Sequence, residues 1–136
     1  PDLVPVALEL RGSPVSKSQL VTTVLSLLAG RLPRLPATSV CFECKARGTP
    51  CVLVAHGVAC MGPVTRTGCG ALCPGFGRDC YACYGPAENP NAESLARRLE
   101  GLGLSPAAVA RRFLFINAAA PAFAEAGLKR RGAGDD

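Results

Sequence analysis

Residues 41–83 read CFECKARGTPCVLVAHGVACMGPVTRTGCGALCPGFGRDCYAC and hold all eight cysteines of the chain. Their order is Cys41-x2-Cys44-x6-Cys51-x8-Cys60-x8-Cys69-x3-Cys73-x6-Cys80-x2-Cys83. Eight soft thiolate donors, opened and closed by a C-x2-C pair, are the number needed for two four-ligand inorganic centres. A C-x2-C pair places two sulfurs on one side of a tight turn. The pattern therefore predicts two iron–sulfur clusters. Two alternatives share the count. Four disulfides are possible for an even number of cysteines, but no signal-peptide pattern accompanies them. Two zinc sites also use C-x2-C pairs, yet a four-cysteine zinc ribbon takes two such pairs per ion, and this chain has two in all. Glycine and proline after ligands, as in Cys60-Met61-Gly62-Pro63, Cys73-Pro74 and Cys83-Tyr84-Gly85-Pro86, suit loops whose backbone approaches inorganic sulfide.

The run from Cys41 to Pro86 resembles the carboxy-terminal cluster region of the small (delta) subunit of cytosolic nickel–iron hydrogenases. It is most similar to the NAD(P)-linked, sulfhydrogenase type. The most specific part is C-x-G-P-V-T-x-x-G-C-G-A-x-C-P, residues 60–74, and the likeness runs from ELRGSPVSKSQL (residues 9–20) to FINAAAPAF (residues 115–123). The resemblance implies two 4Fe–4S clusters that relay electrons between a nickel–iron site on a large subunit and flavin/iron–sulfur, NAD(P)-reactive subunits. It assigns Cys41, Cys44, Cys51 and Cys60 to a distal cluster, and Cys69, Cys73, Cys80 and Cys83 to a medial one. Cys73 stands where many relatives place Pro and hold a 3Fe–4S cluster. The two-cluster ferredoxin scheme, in which one cysteine crosses to the other group, is the alternative assignment. Related small subunits carry Gly-Cys-Pro with a proximal-cluster ligand where this chain has Gly12-Ser13-Pro14. Ser13 is therefore a degenerate proximal-ligand position, and it leaves open an iron–sulfur subunit of a related non-hydrogenase oxidoreductase. A zinc-stabilised assembly module is the reading from outside redox chemistry.

Outward from the cysteines, three regions are expected: residues 1–36 as the end of an α/β (flavodoxin-like) domain with a connector, 37–90 as the two-cluster domain, and 91–136 as a helical extension with a disordered tail. The fold class is an α/β edge unit followed by a loop-rich, irregular iron–sulfur domain with little sheet and carboxy-terminal helices. Leu3 to Leu10 reads as a strand weakened by Pro5. Ser16 opens a helix, with Gln19 as capping-box partner, an apolar stripe from Leu20 to Leu28 and Gly30 as its stop. One strand–turn–helix unit needs a sheet to join, so an amino-terminal α/β domain is expected before Pro1 or on another chain. Arg31 to Val40 is a Pro-punctuated connector.

Asn91 caps a helix ended by Gly101 and Gly103, and Ser105-Pro106 starts another with Val109, Phe113 and Ile116 on one face. Arg97, Arg98, Arg111 and Arg112 are expected in solvent or against a partner. Asn117 to Phe123 is expected to lie on a partner subunit, and Lys129 to Asp136 to be disordered. Among residues beside the ligands, His56 reads as a loop imidazole. Lys45, Arg47, Arg66 and Arg78 would raise cluster potentials and Glu43 would lower them, while Thr65 and Thr67 are candidate hydrogen-bond donors.

Composition narrows the classes further. Hydrophobic residues make up 49%, but aromatics only 5%, with 15 Gly and 12 Pro, so the core is modest and stiffened by turns. No run of about 18 apolar residues is present, and a cytoplasmic location with no membrane span is expected. The formal charge is +5, yet two oxidised clusters on eight thiolates would add about −4. Basic residues are scattered without interleaved aromatics, so nucleic acid is rejected as a partner. No nucleophile–base pair, phosphate loop or dinucleotide fingerprint occurs, so no catalytic residue is assigned to this chain.

Overall fold

The computed structural model describes residues 5–132, and they form an irregular, helix-rich fold with almost no sheet. Helices run α1 Lys17–Leu28, α2 Val40–Ala46, α3 Val52–Ala55, α4 Leu72–Gly75, α5 Ala92–Gly101, α6 Pro106–Phe113 and α7 Pro121–Gly132, with a 3-10 turn at Gly62–Val64. The strand expected over Leu3 to Leu10 is absent from residues 5–10, and Leu3 and Val4 lie outside the described residues. Pro5 offers no N–H, and no neighbouring strand among the described residues is there to pair with, so the segment forms no ladder and bends at Ala7. The chain that follows it, at Arg11 and Pro14, docks on the turn after Cys83. Tyr84 Oη donates to the Pro14 carbonyl at 3.2 Å, and Gly85, at φ +75, lies under the Arg11 side chain.

The α1 boundaries follow the sequence signals. Ser16 Oγ accepts from Gln19 N at 3.5 Å, and Gly30 turns the chain out at φ +68. The Gln19 side chain does not complete the capping box; it lies against Gly68, where a Cβ would overlap its amide. Of α1 only Thr23 is buried, while Leu20, Leu25, Leu27 and Leu28 are at least half exposed.

The cysteine segment is held by backbone pairing too short to count as strands. Ser39 bridges Arg66 and Thr65 bridges Pro86, both antiparallel. Val40 N donates to Thr65 O at 2.9 Å, Arg66 N to Gly85 O at 2.9 Å, and Ala87 N to Val64 O at 2.8 Å. Three stretches of chain far apart in sequence are thereby tied at one place. Around them lies a single apolar cluster that includes Val40, Met61, Val64, Leu95, Leu99, Val109, Phe113 and Phe123, with Cys60 and Cys80 inside it. Each large side chain fully buried there contributes about 1.5–3 kcal/mol.

The C-terminal helices close this core from one side. Asn91 Oδ1 accepts from Ser94 N at 3.0 Å and Ser105 Oγ from Ala108 N at 3.2 Å, so both expected caps are formed. Helix α6 ends at Phe113, one turn short of Ile116, which is exposed. The segment expected to lie on a partner folds onto its own chain. Asn117 Nδ2 donates to Ala82 O at 2.6 Å, Ala120 and Phe123 are buried, and the Phe123 ring meets Phe113 edge-on at 5.7 Å. Residues 129–132, expected to begin a disordered tail, are the last turn of α7, and residues 133–136 lie outside the described residues.

Arg130 is the reason α7 stays docked. It is 5% exposed and donates to Glu93 at 2.9 Å and to Glu100 at 2.7 Å, binding α7 to α5. The Arg130 bonds to Glu93, with a further one from Arg97, hold the Glu93 carboxyl down at about 2. Arg112 is likewise engaged within the chain, paired with Asp79 and lying 5.6 Å from the Tyr81 ring. Arg97, Arg98 and Arg111 are exposed. Among the described residues no helix is long and apolar enough to cross a membrane.

Candidate metal centres

None of the eight cysteines is in a disulfide. Helix α2 presents Cys41 and Cys44 three positions apart, hence on one face. Cys51 stands at the N-cap of the single-turn helix α3, and Cys60 precedes the 3-10 turn that begins at Gly62. Gly62 leaves a space that a side chain would fill: a Cβ there would stand 3.3 Å from Cys60 Sγ and 3.8 Å from Cys41 Sγ. The Cys44 thiol stands within electrostatic reach of Cys41, Cys60 and Cys51, and also of Cys69 from the other group. The first four cysteines are thus gathered in one region by α2, α3 and the turn.

The last four share a cavity. Cys69, Cys73, Cys80 and Cys83 line one hollow of about 590 Å³, together with Ser13, Tyr84 and Phe115. Cys73 enters it from α4, whose start is forced by Ala71 in the left-handed region at φ 50. Cys69 is placed by the Gly68–Ala71 turn around it, and Cys80 and Cys83 by the chain around Ala82, at φ 61. Ser13 therefore stands beside these four thiols, not apart from them. Cys80 sits at the seam of the two groups: its N–H donates to Cys60 Sγ at 3.3 Å while its side chain faces the cavity with Cys69.

Electrostatically the thiols are poised between two influences. Burial raises the pKa of Cys41, Cys60 and Cys69, pushes Cys44 up to about 11, and pushes Cys80 up to about 12. Donors aimed at sulfur oppose it. Cys60 Sγ accepts from Gly62 N at 3.4 Å and from Cys80 N at 3.3 Å, while the nearby Leu72 and Ala71 amides draw the Cys69 thiol back down and the Ala82 amide does the same for Cys80. Metal loading must displace protons from these thiols, and the donors that would stabilise thiolate sulfur are already in position. Among the described residues no three His, Cys, Asp or Glu side chains converge as ligands of one metal ion. A single zinc ion needs its sulfurs about 2.3 Å from one point. Thiols spread around a cavity, with backbone N–H groups near Cys60, Cys69 and Cys80, are a donor set that fits a polynuclear iron–sulfur group.

Neighbouring residues divide differently from their sequence positions. His56 is exposed at the end of α3. Thr65 is buried and donates to Met61 O at 2.6 Å, whereas the buried Thr67 hydroxyl has no partner. The Asp79–Arg112 pair, which fixes α6 beside Cys80, carries no signal in the sequence because its members are 33 positions apart. Glu43 and Arg47 reach from α2 to the turn that carries Cys69, at separations of 23 to 28 positions.

Comparison with known proteins places the relatives in one group. The chain is 35% identical over 94 residues to the delta subunit of sulfhydrogenase 2 from Pyrococcus furiosus, a match covering 69% of this chain and 40% of that protein. It is 36% identical over 106 residues to the vhu G subunit of the F420-non-reducing hydrogenase from Methanococcus voltae, covering 65% of this chain and 37% of the relative. With the G subunit of the F420-non-reducing hydrogenase from Methanothermus fervidus it shares 53% identity over 36 residues, 26% of this chain and 28% of that protein. The chain thus spans about two fifths of the length of the first of these relatives. No family profile matches it.

Proposed function

We propose that this chain, a relative of the delta and G subunits of hydrogenases over its cysteine region, is the electron-relay part of a hydrogenase small subunit. In this reading Cys41, Cys44, Cys51 and Cys60 hold one 4Fe–4S cluster and Cys69, Cys73, Cys80 and Cys83 hold the other. The observation that carries it is the cavity of about 590 Å³ lined by the last four cysteines together. Bound clusters would supply one-electron transfer. The chain's own residues hold the thiols apart around a cavity, donate N–H groups to sulfur, and bury Cys60 and Cys80 so that water is kept from the seam between the two groups. Electrons would pass between a nickel–iron large subunit and flavin/iron–sulfur, NAD(P)-reactive subunits, in the cytoplasm.

The test is metal content. Anaerobically purified chain is expected to be brown, with about eight iron and eight sulfide per chain. Colourless protein carrying two zinc ions overturns the proposal. Ser13, standing at the cysteine position of related Gly-Cys-Pro turns, favours a second reading, the equivalent subunit of a related oxidoreductase without hydrogen chemistry. Hydrogen-dependent dye reduction by the complex assembled around the full-length protein separates the two.

A further inference from the structure

Glu43 stands between Cys41 and Cys44 in sequence, yet its carboxylate faces the other cysteine group. Oε1 accepts from Gly68 N at 3.0 Å, Oε2 accepts from Ala71 N at 3.0 Å, and Cys69 Sγ lies 3.9 Å from Oε2. Arg47, one helical turn further on, donates to the Gly70 carbonyl, and a Cβ on Gly75 would stand 3.5 Å from its guanidinium. An acid and a base from α2 thus grip the two turns that present Cys69 and Cys73. The gripped turn is an unusual one. Gly68, Gly70 and Ala71 all have positive φ, at 134, 69 and 50, and for alanine that region is disfavoured. Its N–H groups point to one side, forming a concavity suited to an anion, and the Glu43 carboxylate occupies it. The Ala71 N–H is thereby taken by a carboxylate oxygen that itself stands 3.9 Å from Cys69 Sγ.

We propose that Glu43 is a positioning residue for the Cys69–Cys83 centre, setting its loop geometry and its reduction potential from the helix that carries ligands of the other centre, with Arg47 as its counterpart of opposite charge. The proposal rests on the two-cluster reading. A fixed negative charge beside Cys69 disfavours arrival of an electron, and capture of the Ala71 N–H weakens the donation that would otherwise stabilise sulfur in the reduced state. Both effects lower the potential of the centre across the chain. The Arg47 guanidinium, further out and exposed, acts in the opposite direction.

The experiment is a redox titration followed by electron paramagnetic resonance on the full chain, purified anaerobically with its clusters. Iron and sulfide are counted for every variant, and the Cys69–Cys83 centre is identified by the altered signal of Cys73→Ala. Glu43→Gln keeps the shape of the side chain and removes its charge. It is expected to retain full iron and to shift the oxidised-to-reduced ratio of the Cys69–Cys83 centre about tenfold toward reduced, about 59 mV for one electron, with a smaller change in the other centre. No shift, or a larger shift in the Cys41–Cys60 centre, overturns the proposal. If Glu43→Gln loses iron, Arg47→Gln decides. A lowered potential of the Cys69–Cys83 centre supports the inference, and an unchanged or raised one overturns it. A wild-type chain that carries no iron overturns the cluster reading itself.

Discussion

Cys73 sits in the first turn of α4, ahead of Pro74, and shares its cavity with Cys69, Cys80 and Cys83. If those four thiols hold a cubane, removing one leaves an iron without a protein ligand. Cys73→Ala does this without disturbing the backbone, since alanine is the best helix former and fits the short helix. The expected outcome is a 3Fe–4S centre at a higher potential, with the Cys41–Cys60 cluster unchanged, read by electron paramagnetic resonance and an iron count of about seven. Two unaltered cubanes would reject the assignment of Cys73. Single residues also show where one-dimensional reasoning stops. Glu43 was readable as a charge inside a C-x2-C turn, but its hydrogen bonds to Gly68 and Ala71 exist only because α2 lies across that turn.

Helices whose ends are written in capping residues were legible: Ser16, Asn91 and Ser105 each cap the helix that begins after them. Helix α7 was not. Its apolar residues, Phe123 and Ala126, come after an Ala- and Pro-rich run, and its polar end reads as a charged tail. The helix exists because Phe123 fills the space beside Phe113 and because Arg130 finds Glu93 and Glu100 on α5. Phe123→Ala should therefore cost about 3–5 kcal/mol of stability in denaturant unfolding. A loss below about 1 kcal/mol would mean that the 117–123 segment is not packed on its own chain. Deleting residues 113–123 is expected to unfold the C-terminal helices themselves.

Over the whole molecule, apolar surface is distributed unevenly. The cysteine segment and α5–α7 share one core, whereas α1 presents Leu20, Leu25, Leu27 and Leu28 to solvent. An apolar stripe of this width needs a covering surface that the described residues do not supply. Leu25→Glu together with Leu28→Glu is expected to reduce self-association of the chain in sedimentation analysis while iron content stays the same. Unchanged association would place the sticky surface elsewhere, on the exposed Phe76 and Phe115 for instance. By itself the sequence determined the number and order of the cysteines, the starts of α1, α5 and α6 and the scarcity of sheet, because thiols, caps and prolines act locally. Tertiary structure alone decided that residues 5–10 form no strand, that residues 117–132 fold inward, and which charges face which cysteines. The last two outcomes depend on surfaces brought together across 23 to 37 positions of chain, and spacing along the sequence carries no trace of them.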